Sequence, residues 1–315
     1  MATDRPILGL SLMLAFCLIA PFGETFAKLL GDAVPIGQVV FLRYGMQAAM
    51  LIPLVWATGR IWRMRGRILR LTIIRTLFQM AGIATMFAAL RYLPLADCIA
   101  IAFVMPFVLL LLGKLLLNET IGPQRLSACI VGFGGTLLVI QPSFVNIGWP
   151  ALLPLGVAFT FSFFVLTTRQ IAAHTDPISL QAVSGVMAVV LVLPALGLGA
   201  VTDFAPLQIV TPTAIDWTFL IGLATVGTGA HLLMTYSLKF APSAMLAALQ
   251  YIEIPVAALI GWFIFGDFPN FQACVGIVVT IGAGLYVMVY EHSNARATEA
   301  ARVSETQPPE NAQAL

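Results

Sequence analysis

The sequence of 315 residues is 60% apolar and 10% charged, with a mean hydropathy of +0.96, whereas an ordinary soluble domain carries roughly 25% charged residues. A water-soluble fold cannot hide that much apolar surface, because a large share of any folded surface faces water, so lipid is the solvent that fits the composition. The formal net charge of +2 is too small to point to a nucleic-acid partner.

A bilayer core takes roughly 20 apolar residues per helix. The first such stretch covers 6–30; it is too long for the apolar region of a cleaved signal peptide and contains Glu24 and Lys28, so it reads as a span. In chain order there follow 36–57, 71–90, 95–117, 124–141, 149–171, 178–200, 216–238, 243–265 and 271–290, ten stretches in all, separated by breaks such as Gly31-Asp32, Leu93-Pro94 and Gln141-Pro142. The class expected is an all-α integral membrane protein with ten transmembrane helices. Residues 291–315 mix Glu, Gln, Asn, Ala and Pro without hydrophobic periodicity and read as a disordered cytoplasmic tail. Cys17, Cys98, Cys129 and Cys274 all fall in apolar stretches without CxxC spacing and read as small buried hydrophobes, so no metal or cofactor is expected.

Lysines and arginines set the orientation. The stretch between the second and third spans holds Arg60, Arg63, Arg65, Arg67 and Arg70, with Arg75 just inside the third span. Arg5, Lys114, Arg125, Arg169, Lys239, Arg296 and Arg302 fall on the same side, against Arg91 and Lys28 on the other. The positive-inside rule places both termini in the cytoplasm, and a multi-pass protein of a bacterial cytoplasmic (inner) membrane is expected. The arginine cluster reads as a topology determinant touching lipid phosphates, not as a nucleic-acid surface.

The chain also carries a faint internal repeat. Residues 88–96 (AALRYLPLA) align with 236–244 (YSLKFAPSA), matching Leu90 with Leu238, Arg91 with Lys239 and Pro94 with Pro242. Further on, Pro106 lies over Pro255, Glu119 over Asp267, Gln124 over Gln272 and Gly134 over Gly282; earlier, Pro35-Ile36 lies over Pro177-Ile178 and Lys28 over Arg169. The pattern predicts two five-helix repeats, 6–141 and 149–290. Five is odd, so the second unit enters the membrane inverted, an arrangement typical of secondary transporters whose substrate site lies near the midplane between the units.

These residues resemble paired EamA domains of the drug/metabolite transporter superfamily over roughly 8–290. The resemblance rests on Phe41-Leu42-Arg43, on the two apolar spans that carry Pro106 and Pro255 and end at Glu119 and Asp267, and on the small-residue helices with Gly132, Gly134, Gly135, Gly276, Gly282 and Gly284. It implies a ten-helix transporter without enzymatic turnover, in a superfamily whose members carry amino acids, nucleobases, S-adenosylmethionine, riboflavin or xenobiotics. Asp267 in place of glutamate, and Phe268 against Thr120, depart from symmetry in the second unit.

An ionisable group inside a span costs several kcal/mol unless paired or hydrated, so each is a functional candidate. Arg43 lies roughly 10 Å into the second span at 1.5 Å per residue, and Glu253 lies near the middle of the ninth. They are expected to face each other or the substrate, with Glu253 a candidate for a coupling proton; the alternative is a buried ion pair that only fixes packing. Gln250 and Tyr251 cluster with Glu253 just before Pro255, where the helix is free to kink, and could bond and stack a planar ligand. Helical spacing lets at most two of the three point inward. Glu24 shares a face with Lys28, and Asp97 opens the fourth span near Arg91; together these read as an outer gate or as an interfacial charge cluster. His231 reads as a packing residue. The glycines of the fifth and tenth spans mark close helix contact, within the chain or, alternatively, across a homodimer.

No HExxH, GxSxG, Walker or GxGxxG motif appears in context, which disfavours a membrane-embedded enzyme. No repeated carbonyl or acidic ring suggests a channel, and a tail of about 25 residues is short for a receptor or scaffold. The reading is a secondary transporter of a small organic metabolite, planar or amphipathic and riboflavin-like, driven by an ion gradient or by exchange. An exporter of amino acids or xenobiotics is the alternative. The partners expected are the substrate and the bilayer.

Overall fold

The computed structural model describes residues 6–105, 107–108, 111–112, 123–172, 174–202, 204–240, 246 and 249–306. Among these the chain is helical, with no strand. In chain order the α-helices are α1 (Pro6–Leu30), α2 (Ile36–Ala57), α3 (Gly66–Leu90), α4 (Leu95–Ala102), α5 (Pro123–Ile147), α6 (Leu153–Ala172), α7 (Pro177–Thr202), α8 (Ala214–Phe240), α9 (Glu253–Ile260) and α10 (Phe271–Thr306). A short 3₁₀ turn, Trp149–Leu152, precedes α6, and a π turn, Gly261–Phe265, extends α9. Six helices, α1, α2, α3, α6 with its 3₁₀ turn, α7 and α8, are long and apolar enough to cross a membrane; the apolar parts of α5, α9 and α10 are shorter.

Local chemistry sets the starts. Asp176 caps α7, its Oδ2 accepting from Ser179 N at 3.0 Å with Pro177 in the first helical position. Thr213 and Asp216 cap α8 reciprocally: Thr213 N donates to Asp216 Oδ2 at 2.8 Å and Asp216 N donates to Thr213 Oγ1 at 3.3 Å. Asn270 Oδ1 accepts from Ala273 N at the start of α10. Gly266, with φ of 71°, turns the chain out of the π turn in a conformation that side chains rarely adopt.

Several boundaries differ from the sequence reading, and α5 runs to Ile147 through the break expected at Gln141-Pro142. α3 begins at Gly66, not 71, because Arg67 and Arg70 are good helix formers and lie exposed on its first turns. α10 runs to Thr306, so the tail expected to be disordered from 291 is helical over most of its length; Ala295, Ala297, Ala300 and Ala301, with Glu299 and Arg302, carry the helix to within two residues of Pro308. Residues 307–315, like Glu119, lie outside the described residues.

The helices pack mainly in four extensive pairs, α1 with α8, α2 with α7, α3 with α6 and α5 with α10, and α4 lies against α9. This list is unchanged when α1–α5 are exchanged for α6–α10. Within pairs the backbones close over glycine. A Cβ on Gly185 of α7 would lie 3.2 Å from Tyr44 O of α2, and one on Gly135 of α5 would lie 2.9 Å from Gly276 O of α10.

α4 and α9 are the short elements because their apolar stretches are interrupted. α4 stops at Ala102, the chain turns at Phe103-Val104, and helix resumes at Met105. Residues 249–250 are helical, the chain turns at Tyr251-Ile252, and α9 follows. A proline follows each turn in sequence, Pro106 and Pro255, and lacks the N–H that would continue the ladder. Side chains from neighbouring helices take up carbonyls beside both breaks: Ser162 Oγ of α6 donates to Met105 O at 3.2 Å, and Cys17 Sγ of α1 donates to Leu249 O at 3.3 Å. The breaks touch, with the rings of Phe103 and Tyr251 5.2 Å apart.

Candidate functional site

A cavity of about 120 Å³ lies where the broken helices meet α1, α2, α3, α6 and α8. Its wall is largely apolar and rich in aromatic rings, among them Phe16, Phe87, Phe103 and Phe161. Five polar side chains reach it: Glu24 from α1, Arg43 from α2, His231 from α8, and Gln250 and Glu253 from either side of the second break.

Each polar group is positioned by the packing around it. Arg43 is buried, and its guanidinium lies over Gly227 of α8, where an added Cβ would come within 3.0 Å of Nη2; the glycine makes room for the cation. The Tyr44 ring is 5.1 Å away. Among the described residues no acidic oxygen lies within 4.0 Å of Arg43, and its Nη1 has no hydrogen-bond partner. Glu24 Oε2 and His231 Nδ1 likewise make no hydrogen bond there. Glu253 lies within electrostatic range of Glu24. These three polar atoms, of Arg43, Glu24 and His231, face one apolar space, where a polar guest can bond them.

The remaining candidates lie elsewhere. Tyr251 does not line the cavity; it packs on Phe103 and fills the space left by Gly284 of α10. Asp97 is buried within α4 and also does not line it. Glu24, Lys28 and Asp97 all lie within electrostatic range of Cys98, while Arg91 is engaged elsewhere. Lys28 extends a turn beyond Glu24, where Nζ donates to Asp267 Oδ2 at 2.8 Å and Leu93 O at 3.2 Å and sits 4.7 Å from the Phe265 ring centre. Arg91 pairs with Asp32 at 3.0 Å.

Arg75, read from the sequence as a topology determinant, is fully buried. It donates to Thr168 Oγ1 and Ser184 Oγ, both at 2.9 Å, and lies 4.7 Å from the Phe164 ring centre. Gln47 Nε2 donates to Gln181 O at 2.8 Å nearby. This polar layer ties α2, α3, α6 and α7 beside the cavity. The sequence signal for it was the run of polar residues at helical spacing, Thr72, Arg75, Thr76 and Gln79.

A lipid-embedded helical bundle with interrupted helices meeting at a cavity that holds charged side chains has the architecture of a membrane transporter. The model of the EamA-like transporter family matches residues 7–141 and again 148–290, and the chain belongs to that family. The family is one of transporters. The chain is 24% identical over 263 residues to a riboflavin transporter of Brucella anthropi, covering 84% of this chain and 91% of that one. To a riboflavin transporter of Rhizobium johnstonii it is 27% identical, covering 81% and 82%. It is 24% identical to an S-adenosylmethionine uptake transporter of Rickettsia bellii, covering 90% and 94%. A crystal structure at 16% identity superposes with a TM-score of 0.62, covering 90% of this chain and 96% of its own, which shows the fold.

Proposed function

We propose that the chain is a secondary transporter of two five-helix units, 6–141 and 149–290, inserted upside down relative to each other, that passes its substrate through the central cavity by alternating access. The meeting of two interrupted helices at a space holding Glu24, Arg43, Gln250 and Glu253 carries this reading. The pairing of helices that survives exchange of the two units supports it, as do the two matches to one family model. The cavity's volume is below the roughly 300–1,000 Å³ of sites for drug-sized ligands, so a substrate of that size enters only when the walls part. The Lys28–Asp267 pair, between α1 and the segment joining α9 to α10, then acts as a latch at one end. Ten crossings return both termini to the cytoplasmic side of the cell membrane.

The substrate that fits best is a flat heteroaromatic metabolite of the riboflavin kind, taken up into the cell. Its rings would stack among Phe16, Phe87, Phe103 and Phe161 while Gln250 bonds its polar edge. S-adenosylmethionine is a second reading. It is favoured by the coexistence of Arg43, with no acid within 4.0 Å among the described residues, and two carboxylates, a set that suits a ligand bearing both a carboxylate and cationic centres. Uptake of labelled riboflavin and labelled S-adenosylmethionine by proteoliposomes holding the purified protein separates the readings. Accumulation of one, competed by itself and not by the other, assigns the substrate; accumulation of neither under any imposed gradient refutes both.

A further inference from the structure

The groove between α2 and α7 is filled at one end of the bundle and open at the other. At the end where α2 begins, the segment joining α7 to α8 folds back into it. Leu207 sits against Gly37 of α2 and Gly199 of α7, and a Cβ on Gly37 would lie 2.8 Å from Leu207 Cδ2. Gln38 clamps that segment, Nε2 donating to Val210 O at 2.8 Å and Oε1 accepting from Val210 N at 2.9 Å.

At the other end, where α2 stops and α7 starts, the same groove holds a cavity of about 470 Å³. Its walls include Val55 of α2 and Val186 of α7, and its rim carries Trp56, Trp62, Arg63 and Arg65. Trp62 and Met64 from the segment after α2, with Leu69 of α3, border it without closing it. The arginines are exposed, and among the described residues no acidic oxygen lies within 4.0 Å of either.

We propose that this groove binds one anionic phospholipid, with an acyl chain between α2 and α7 and the phosphate against Arg63 and Arg65. An apolar slot between two spanning helices takes hydrocarbon. Indole rings settle where hydrocarbon gives way to headgroups, and arginines with no acid beside them at that level attract anionic headgroups. A free phosphate would leave the slot unfilled, and a neutral lipid would leave the charge unanswered. The lipid does at this end what Leu207 does at the other.

Native mass spectrometry of the full chain released from nanodiscs of phosphatidylcholine with phosphatidylglycerol tests this. The wild type is expected to retain one phosphatidylglycerol. Arg63→Ala with Arg65→Ala is expected to weaken that retention about thirtyfold, the effect of two arginines at a charged membrane surface. Val186→Trp, which fills the slot and keeps both arginines, is expected to expel the lipid, and Arg70→Ala, outside the rim, to retain it. Equal retention by the double variant, equal retention of phosphatidylcholine, or displacement by inorganic phosphate alone overturns the assignment.

Discussion

Arg43, Glu24 and Glu253 share one apolar space, and each should fail in its own way when changed. Loss of a charge-assisted hydrogen bond costs about 1.5–3 kcal/mol, so Arg43→Ala is expected to raise the KM for transport about ten- to hundredfold. Arg43→Lys should recover part of it, because the charge returns without the planar fork; unchanged uptake in both variants at equal membrane abundance would separate Arg43 from the substrate. Two carboxylates and one arginine leave a negative charge to be met by substrate or proton. Glu253→Gln is therefore expected to abolish accumulation driven by a pH gradient while exchange of labelled for unlabelled substrate continues, and gradient-driven accumulation in that variant would exclude Glu253 from coupling. Arg75 belongs to the scaffold: Arg75→Leu removes the donor to Thr168 and one of the two donors to Ser184 and is expected to lower stability by about 2–4 kcal/mol, read as a fall in Tm in detergent. The sequence could point to Glu24, Arg43, Gln250 and Glu253 because a charge or amide deep in a span is costly wherever it faces. It could not tell which way each turned. Tyr251, next to Gln250, points at Phe103 and Gly284, and Arg75 is an interior cation that a count of loop arginines treats as a topology signal.

The interrupted segments around α4 and α9 give the bundle its two weak points, and the latch beside one of them has a measurable strength. Lys28–Asp267 is partly exposed, so it contributes about 0.5–1 kcal/mol. Asp267→Asn is expected to shift the balance between closed and open at that end by about two- to fivefold. Faster labelling of Ala20→Cys, on the cavity wall, by a membrane-impermeant thiol reagent from outside would show it, and an unchanged labelling rate would remove the pair from gating. The α5–α10 contact is the opposite case, closed by Gly135 and Gly276 with no room for a side chain. Gly276→Leu is expected to cost about 1–3 kcal/mol or more and to reduce the amount of folded protein recovered. The ends of α1 and α2 were legible to the residue because Leu30 and Ala57 are followed by glycine or polar turns. The breaks were not, because an apolar run with a proline reads the same whether the helix kinks or stops; what decides is whether a neighbouring side chain such as Ser162 or Cys17 can take the freed carbonyl.

At the scale of the whole molecule, pairing runs across the chain, not along it: α1 packs on α8 and α3 on α6. Residues 6–141 and 149–290 are therefore neighbours at almost every helix, and a reporter fused to either terminus is expected to locate both in the cytoplasm; opposite sides would require an odd number of crossings. The same pairing governs how the protein is made. About 200 residues separate α1 from the helix that covers it. At roughly 5–20 residues per second, α1 waits on the order of 10–40 s in the bilayer with Glu24 uncovered and no partner for its long face. The newborn first half is thus expected to stand open to membrane chaperones and proteases until α8 emerges, and a message truncated between them should yield a product that is degraded instead of stored.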